Sequence, residues 1–220
     1  MPKSKVPEGK GRVYVASMNL RGKHAHKPSG AIPRNVTSAQ QKGSALRRDF
    51  SPMTPYPGKF RNFYNFEAWW QSLKRYTKDD KEVSPEEAKK IKEWWLKQTS
   101  AKRRCAIAHP KNGYKVSHAE NENGKQFDYK ESRKKLYVPE YHAMIQNSES
   151  LAECKKAAAK GHDQVFVDFD GPRSEDGEPI CEEVTIETLK KYINSTRFPF
   201  GHGWVVAAEV AGIDYKLYTE

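Results

Sequence analysis

Residues 62–76 read NFYNFEAWWQSLKRY, and this stretch organises the rest of the chain. Its apolar side chains recur at helical spacing, which predicts an amphipathic helix over 62–76. The buried face of this helix is expected to consist of Phe66, Trp69, Trp70, Leu73 and Tyr76. The opposite side is expected to carry Ala68, Ser72 and Arg75.

A polar stripe follows the same helix, because Glu67, Gln71 and Lys74 stand at i, i+4 and i+7. Each of them comes one position after an apolar residue, a rotation of about 100°. The stripe therefore borders the buried face instead of opposing it. A carboxylate, an amide and an amine beside an aromatic cluster can line the wall of a pocket. The alternative interpretation is a solvated Glu–Lys edge on an ordinary core helix.

Length and charge set the class of protein. The chain has 220 residues, 36% of them hydrophobic and 30% charged, with a mean hydropathy of −0.92. One domain with a core is expected at this length. The net charge of +11 favours polyanionic partners such as nucleic acid, nucleotides or phosphorylated substrates. Because basic residues dominate the N-terminus, we expect a flexible tail over 1–12, able to act as a nucleic-acid-binding arm, and a single domain over 13–220.

The three cysteines, Cys105, Cys154 and Cys181, are far apart and form no CxxC pair. This spacing favours a reducing compartment over a disulfide scaffold or a zinc module. His24 and His26 lack further ligands of suitable spacing, so we predict no metal and no cofactor. No apolar run reaches the length of a membrane span, and no signal peptide is visible. The protein is expected to be soluble and intracellular, in the cytoplasm or associated with nucleic acid.

Helix caps predict most of the remaining elements. Ser84-Pro85-Glu86-Glu87 is a capping box that opens a helix reaching about Gln98. Further helices are expected over 140–146, over 149–160 with Gly161 as the stop, and from Thr185 to Ile193. Strands are expected at 13–17 and 164–171, and a long loop at 109–130. Together these elements predict an α+β fold, a mostly helical single domain with a small sheet.

Several residues outside the central helix are candidates for ligand contacts. Arg103 and Arg104 follow the second helix and suit a phosphate, or simply form a cationic helix end. Four tryptophans lie on the two successive helices, where they either pack together or form a pocket for a planar base. His202 lies in a glycine-flanked turn that would favour a phosphate if a helix follows, or it is an ordinary loop histidine.

Asp168 and Asp170 lie in a DFDG sequence at the end of a strand. The same pattern opens the haloacid-dehalogenase phosphatases. In that fold a long chain follows the motif and carries the remaining catalytic residues, whereas here only a short segment follows without a matching set. This interpretation is therefore rejected.

The central stretch resembles the NADAR family, the NAD- and ADP-ribose-associated N-glycosidases. The similarity covers about residues 50–77, where an aromatic, proline-containing segment precedes a helix that carries Glu, Gln, Lys and a final aromatic residue. The matching positions are Phe50-Ser51-Pro52-Met53-Thr54-Pro55-Tyr56, Phe63-Tyr64, Glu67, Gln71, Lys74 and Tyr76. Ala68 and Ser72 stand where the family has His and Ala. The family's Trp-Gly and Gly-x-Asn-x-x-Gly elements have no recognisable counterpart.

The resemblance implies a mostly helical α+β domain that hydrolyses N-glycosidic bonds to ribose, in riboflavin-pathway intermediates or ADP-ribosylated bases. Glu67 would then be the key carboxylate, and Lys74 would bind a phosphate or protonate the leaving group. The remaining candidates for substrate binding are Tyr64, Trp69, Trp70, Gln71, Arg103, Arg104, Asp168 and His202.

Two other functions stay open from the sequence. A basic chain rich in polar segments also suits a structural protein of a nucleic-acid assembly, such as a ribosome or a virus particle. An inactive family member would bind ADP-ribose or a nucleotide without cleaving it, which Ala68 in the place of His permits. The oligomeric state is not indicated by any pattern in the sequence.

Overall fold

The computed structural model describes residues 9–18, 28–37, 44–55 and 60–220, and it has the α+β architecture that the sequence predicts. The strands are β1 (Val13–Ser17), β2 (Ile32–Asn35), β3 (Lys74–Lys78), β4 (Lys81–Glu82), β5 (Tyr114–Glu120), β6 (Gln126–Phe127), β7 (Gln164–Asp168) and β8 (Cys181–Glu183). The helices are α1 (Ala45–Phe50), α2 (Phe66–Ser72), α3 (Pro85–Leu96), α4 (Tyr129–Ser132), α5 (Val138–Ile145), α6 (Glu149–Ala159), α7 (Ile186–Ile193), α8 (His202–Ala211) and α9 (Lys216–Thr219).

The first sheet has the strand order β2-β7-β1-β8, with β7 parallel to both β1 and β2. Val13, Val15, Val165 and Phe166 are all buried in these two central strands. Such apolar runs suit strands that are covered on both faces. Because β1 and β7 are parallel, Ser17 and Asp168 end at the same edge of the sheet.

The second sheet is antiparallel, with the order β4-β3-β5-β6. Its strand β3 begins directly after α2, with Leu73 as the helix C-cap. The expectation of one helix over 62–76 is therefore wrong beyond Ser72, and it is also wrong before Phe66, where Phe63 forms an isolated bridge with Phe60. The chain leaves the helix because residues 74–78 pair with β5, whose residues were expected to form a loop. That expectation of a long loop at 109–130 is wrong for the same reason.

Helix α2 is fixed at its start by Asn65, whose side chain accepts a hydrogen bond from the amide of Ala68 and donates one to the carbonyl of Met53. Phe66 and Trp69 are buried as expected. Ala68 and Ser72, expected on the exposed side, are buried too, so the surroundings cover α2 on both sides. Only the Glu67, Trp70 and Gln71 side of the helix stays partly open.

Most other helices begin where the caps predict them. The side chains of Ser84, Ser148 and Thr185 accept hydrogen bonds from the amides of Glu87, Leu151 and Thr188. Gly161 follows α6 with a φ of +83°, the left-handed conformation expected of a helix stop. Helix α8, which the sequence left undecided between helix and strand, is a buried helix.

Residues 9–12 of the expected tail contact the domain. The amide of Gly11 donates to the carbonyl of Ala158 at 2.8 Å, and the amide of Arg12 donates to Asp163 Oδ1 at 2.7 Å. Residues 1–8 and the His24–His26 pair lie outside the described residues. Within the described ranges, none of the helices combines the length and the apolar character needed to cross a membrane.

Candidate functional site

A cavity of about 360 Å³ lies between helix α2, strand β5 and the segments around residues 129–137 and 199–201. We call it the central cavity. Its lining consists of Glu67, Trp70, Gln71, Lys74, Val116, Ser117, His118, Ala119, Tyr129, Ser132, Arg133, Tyr137, Asp170, Pro199, Phe200 and Gly201. The polar stripe of α2 therefore borders a cavity, which is the first of the two interpretations that the sequence allows.

Helix α2 supplies one wall of the central cavity. Gln71 donates a hydrogen bond from Nε2 to Oε1 of Glu67 at 2.7 Å, one helical turn apart. Lys74 belongs to β3, and its Nζ lies 6.0 Å from the centre of the Trp70 ring. The lysine thus reaches the cavity from a strand, although the sequence pattern placed it on the helix.

Burial acts on both charged groups of this wall. It raises the pKa of Glu67, while the hydrogen bond from Gln71 and the positive charges of Lys74, His202 and Arg103 act in the opposite direction. Burial also lowers the pKa of Lys74, against the effect of the Glu67 carboxylate. Both groups are therefore shifted towards their neutral forms.

Asp170 lies across the cavity and supplies a second carboxyl group. Burial and the nearby charge of Asp168 raise its pKa to about 6, against the effect of His202 and Arg133. The backbone of Gly201 packs directly on it. A Cβ at Gly201 would lie 2.6 Å from the Asp170 Cβ, so a larger residue would displace the carboxyl group.

Arg133 is a buried cation at the same cavity, with 3% of its surface exposed. Its guanidinium donates to the carbonyl oxygens of Ser195 at 2.7 Å and Phe198 at 3.1 Å. It also lies 3.9 Å from the centre of the Tyr129 ring. These contacts hold the segment that leads to Phe200 and Gly201, so Arg133 shapes the cavity and contributes positive charge to it.

A wide helical turn of the π type over Arg133–Tyr137 connects α4 to α5. Such turns are rare and occur frequently at functional sites. Tyr137 packs edge-on against Trp70, with ring centres 5.1 Å apart, and stacks on Tyr141. Trp70 and Tyr137 both line the cavity and give it an aromatic wall suited to a planar group.

Four of the predicted site residues line the central cavity: Glu67, Trp70, Gln71 and Lys74. Trp69 does not, because it is 3% exposed and packs against Phe60 and Phe66 in the core. Tyr64 is half-buried and does not line the central cavity.

Asp168 and His202, two of the predicted site residues, do not line the central cavity, and their contacts hold parts of the fold together. Asp168 is 1% exposed and accepts a hydrogen bond from the amide of Gly203 at 3.0 Å, at the start of α8. His202 is also buried: its Nδ1 lies 3.4 Å from Asp168 Oδ2, and its Nε2 contacts the carbonyl of Val36. These contacts attach α8 to the first sheet. The carboxylate that reaches the cavity is Asp170, two residues further along.

Arg103 and Arg104 line a neighbouring cavity that shares residues with the central one. Asp170, Tyr129, Tyr137 and Arg133 line the central cavity but are not among the site residues predicted from the sequence. The DFDG sequence contained a signal for Asp170. The other three carry no local signal, because their position depends on the wide turn and on the packing of residues 195–201.

No family model matches the chain, and no curated protein or solved structure is significantly similar to it. The function must therefore be inferred from the chemistry of the central cavity.

Proposed function

We propose that the protein is an N-glycosidase that hydrolyses the bond between a ribosyl C1′ and a nitrogen, in an ADP-ribosylated base or a phosphorylated riboside. The observation that carries the proposal is the position of Glu67. This carboxyl group lies at the wall of a cavity together with Gln71, Lys74 and an aromatic ring. The resemblance of residues 50–77 to the NADAR family supports the same chemistry.

Glu67 has the position of the group that acts at the sugar. Cleavage of a ribosyl C–N bond passes through an oxocarbenium-like state, which a nearby carboxylate stabilises. The oxygen of a water molecule bonds to C1′ while the C–N bond breaks and its electron pair leaves with the base. Glu67 takes a proton from this water. The raised pKa of Glu67 brings its basicity closer to that of an effective general base.

The departing base needs a proton on its nitrogen, and the cavity contains two donors for it. Asp170, with a pKa of about 6, is partly protonated near neutral pH. Lys74 is the second donor. Gln71 donates its amide to Glu67 and keeps its carbonyl oxygen for a ribose hydroxyl, so one side chain orients both the carboxylate and the sugar.

The aromatic wall suits the base that leaves. Trp70 is half-buried beside Tyr137, with part of its ring turned to the cavity. A purine or another planar base stacked there would place its glycosidic bond near Glu67. Base–aromatic stacking of this kind contributes about 1–3 kcal/mol to binding.

An inactive binder of ADP-ribose or a nucleotide would use the same cavity, and the measured products distinguish the two functions. A structural protein of a nucleic-acid assembly fits the net charge of +11. That function gives no reason, however, for two carboxyl groups with raised pKa values facing a single cavity.

The test is incubation with ADP-ribosylated DNA, ADP-ribosylated RNA and small ribosides, with mass spectrometry of the products. We expect release of a free base or of ADP-ribose. Glu67→Gln should lower the rate by about 10²–10⁴, with an unchanged circular dichroism spectrum. Glu122→Gln, an exposed carboxylate outside the central cavity, is the control and should keep full activity.

Turnover by Glu67→Gln at the wild-type rate would refute the role of Glu67. Ligand-induced stabilisation without any product would establish the binder instead.

A further inference from the structure

A second cavity of about 330 Å³ adjoins the central cavity. The two share the wall formed by Gln71, Lys74 and Val116. The remaining lining of the second cavity includes Tyr76, Arg103, Arg104, Cys105, Tyr114 and Lys115. We call it the arginine cavity.

All of the charged side chains that line the arginine cavity are positive. Four cationic side chains line it, and its lining residues within the described chain include no Asp or Glu. Lys115 is paired with Asp80 at 3.0 Å. Arg103 and Arg104, in contrast, form no ion pair with any residue that the structure describes. Two guanidinium groups without a counter-charge among the described residues attract an anion, and their planar donor pattern matches phosphate.

The segment that carries the two arginines is anchored to the domain. Cys105 and Ala108 are buried, and backbone amides of Ala108 and Ile107 donate to the Cys105 sulfur. Gly113 then turns the chain into β5 with a φ of +83°. The arginine side chains themselves are exposed. A fixed backbone with free guanidinium groups loses little conformational entropy of the main chain when an anion binds.

Charged residues of the arginine cavity affect the pKa values of residues in the central cavity. The charge of Arg103 is one of those that oppose the raised pKa of Glu67, and the charge of Arg104 adds to the effect of burial in lowering the pKa of Lys74. Each arginine is therefore close enough to influence the group that faces the central cavity.

Size favours a ligand that spans both cavities. Ligand sites measure about 300–1,000 Å³, and each of these cavities alone lies near the lower limit. The central cavity offers two carboxyl groups and aromatic rings, which suit a sugar and a base better than a phosphate. The arginine cavity has the opposite preference.

We propose that the arginine cavity binds the phosphate groups of the same ligand whose ribosyl group occupies the central cavity, with Lys74 between the two. The ribosyl half of this proposal rests on the proposed function, whereas the phosphate half does not. The ligand class is then a riboside that carries a phosphate or diphosphate, and a nucleoside without phosphate binds weakly.

The experiment compares two variants with the same change of charge. R103Q/R104Q removes two of the four cations that line the arginine cavity and leaves Lys74 and Lys115. K102Q/K111Q removes two exposed cations of the same segment that do not line it. Isothermal titration with ADP-ribose, inorganic pyrophosphate and adenosine gives the dissociation constants at one salt concentration. A short single-stranded oligonucleotide, titrated in parallel, distinguishes the phosphate of a polynucleotide from that of a small ligand.

We expect R103Q/R104Q to raise the Kd for ADP-ribose by about 10–100-fold, since a charge-assisted hydrogen bond contributes about 1.5–3 kcal/mol. K102Q/K111Q should change it less than about threefold, and the Kd for adenosine should stay the same in both variants. If the oligonucleotide shows the larger loss in R103Q/R104Q, its backbone is the source of the phosphate.

An equal loss in the two variants would overturn the proposal, because it would reflect net charge alone. Unchanged binding in R103Q/R104Q would overturn it too, as would a wild-type protein that binds neither ADP-ribose nor pyrophosphate. The Glu67→Gln variant separates this result from the proposed function. Arginine-dependent binding of ADP-ribose that persists in Glu67→Gln supports the arginine cavity even if the wild-type protein releases no product.

Discussion

Nε2 of Gln71 donates a 2.7 Å hydrogen bond to Oε1 of Glu67, and the two residues stand one turn apart on the wall of the central cavity. Burial raises the pKa of this carboxyl group, and the hydrogen bond opposes the rise because it stabilises the ionised form. The amide of Gln71 therefore lowers the pKa of Glu67 and favours its ionised form.

Replacing Gln71 by Leu should shift the acidic limb of the pH–activity profile. Without the hydrogen bond the pKa of Glu67 rises further, so the ionised form needed for a base appears only at higher pH. We expect the acidic limb of kcat/KM to move to higher pH. Gln146→Leu, at an exposed amide away from the cavity, is the control. A limb that stays in place, or moves down, contradicts this role of Gln71.

Replacing Asp170 by Asn should stabilise the protein at high pH. The pKa of Asp170 is about 6 in the folded state against an ordinary value of 3.8. The folded state thus holds this proton more tightly than the unfolded state, and the wild-type protein loses stability as the pH rises through this interval. Asp170→Asn avoids that loss, which at about 1.4 kcal/mol per pKa unit reaches at most about 3 kcal/mol and should appear as a higher Tm at pH 8.

The measurement is thermal unfolding of the wild-type protein and of Asp170→Asn at pH 8 and pH 4. The variant should unfold at the higher temperature at pH 8, and most of the difference should disappear at pH 4, where the folded wild-type protein is protonated at this position. Asp176→Asn, at an exposed position in the loop after β7, is the matched control. A variant that is less stable than wild type at pH 8 would show that the charge of Asp170 is compensated.

Replacing Arg133 by Met should loosen the segment that closes the central cavity. The carbonyl groups of Ser195 and Phe198 lose their donor, and unsatisfied buried groups destabilise a protein by about 1–3 kcal/mol. Urea unfolding should show this loss. Amide hydrogen exchange should accelerate over residues 194–201. Lys135→Met, at an exposed position of the same turn, should change neither quantity. Unaltered exchange in Arg133→Met would mean that other contacts hold the segment.

The neighbouring residues Trp69 and Trp70 should respond differently to truncation. Trp69 packs in the core with ring centres 5.3 Å from Phe60 and 5.2 Å from Phe66, so Trp69→Ala should lower the free energy of unfolding by about 3–5 kcal/mol. Trp70 is half-buried at the cavity. Trp70→Ala should reduce stability less, and should weaken ADP-ribose binding in titration calorimetry. The opposite pattern would place the ligand on the other side of α2.

The sequence predicts the helices better than the second sheet. Caps such as Ser84 and Thr185 act through amides three residues away, so their effect is visible locally. The end of α2 at Ser72 has a different origin. Residues 74–78 continue the helical spacing of apolar side chains, yet they form a strand because β5, far along the chain, offers backbone partners. Local spacing contains no information about such a distant partner.

The site was predictable where it follows one helix. Glu67, Trp70 and Gln71 share a side of α2, and their spacing alone brings them together. Strand alternation places Asp168 and Asp170 on one side of the strand. It does not indicate which of the two carboxylates accepts the hydrogen bond from the amide of Gly203 at the start of α8. Arg133 was not predictable as a site residue, since its partners are backbone carbonyls of a segment some sixty residues later.

The wide turn at Arg133–Tyr137 has a consequence for how this protein can diverge or be redesigned. Deleting one residue there would restore an ordinary α-helical turn and rotate everything after it by about 100°. If Arg133 kept its hydrogen bond to the carbonyl of Ser195, Tyr141 would be rotated away from the carbonyl of Phe50. Its hydroxyl would then lose this hydrogen-bond acceptor. Homologous sequences aligned over this turn should therefore keep its length fixed, even where the residues themselves vary.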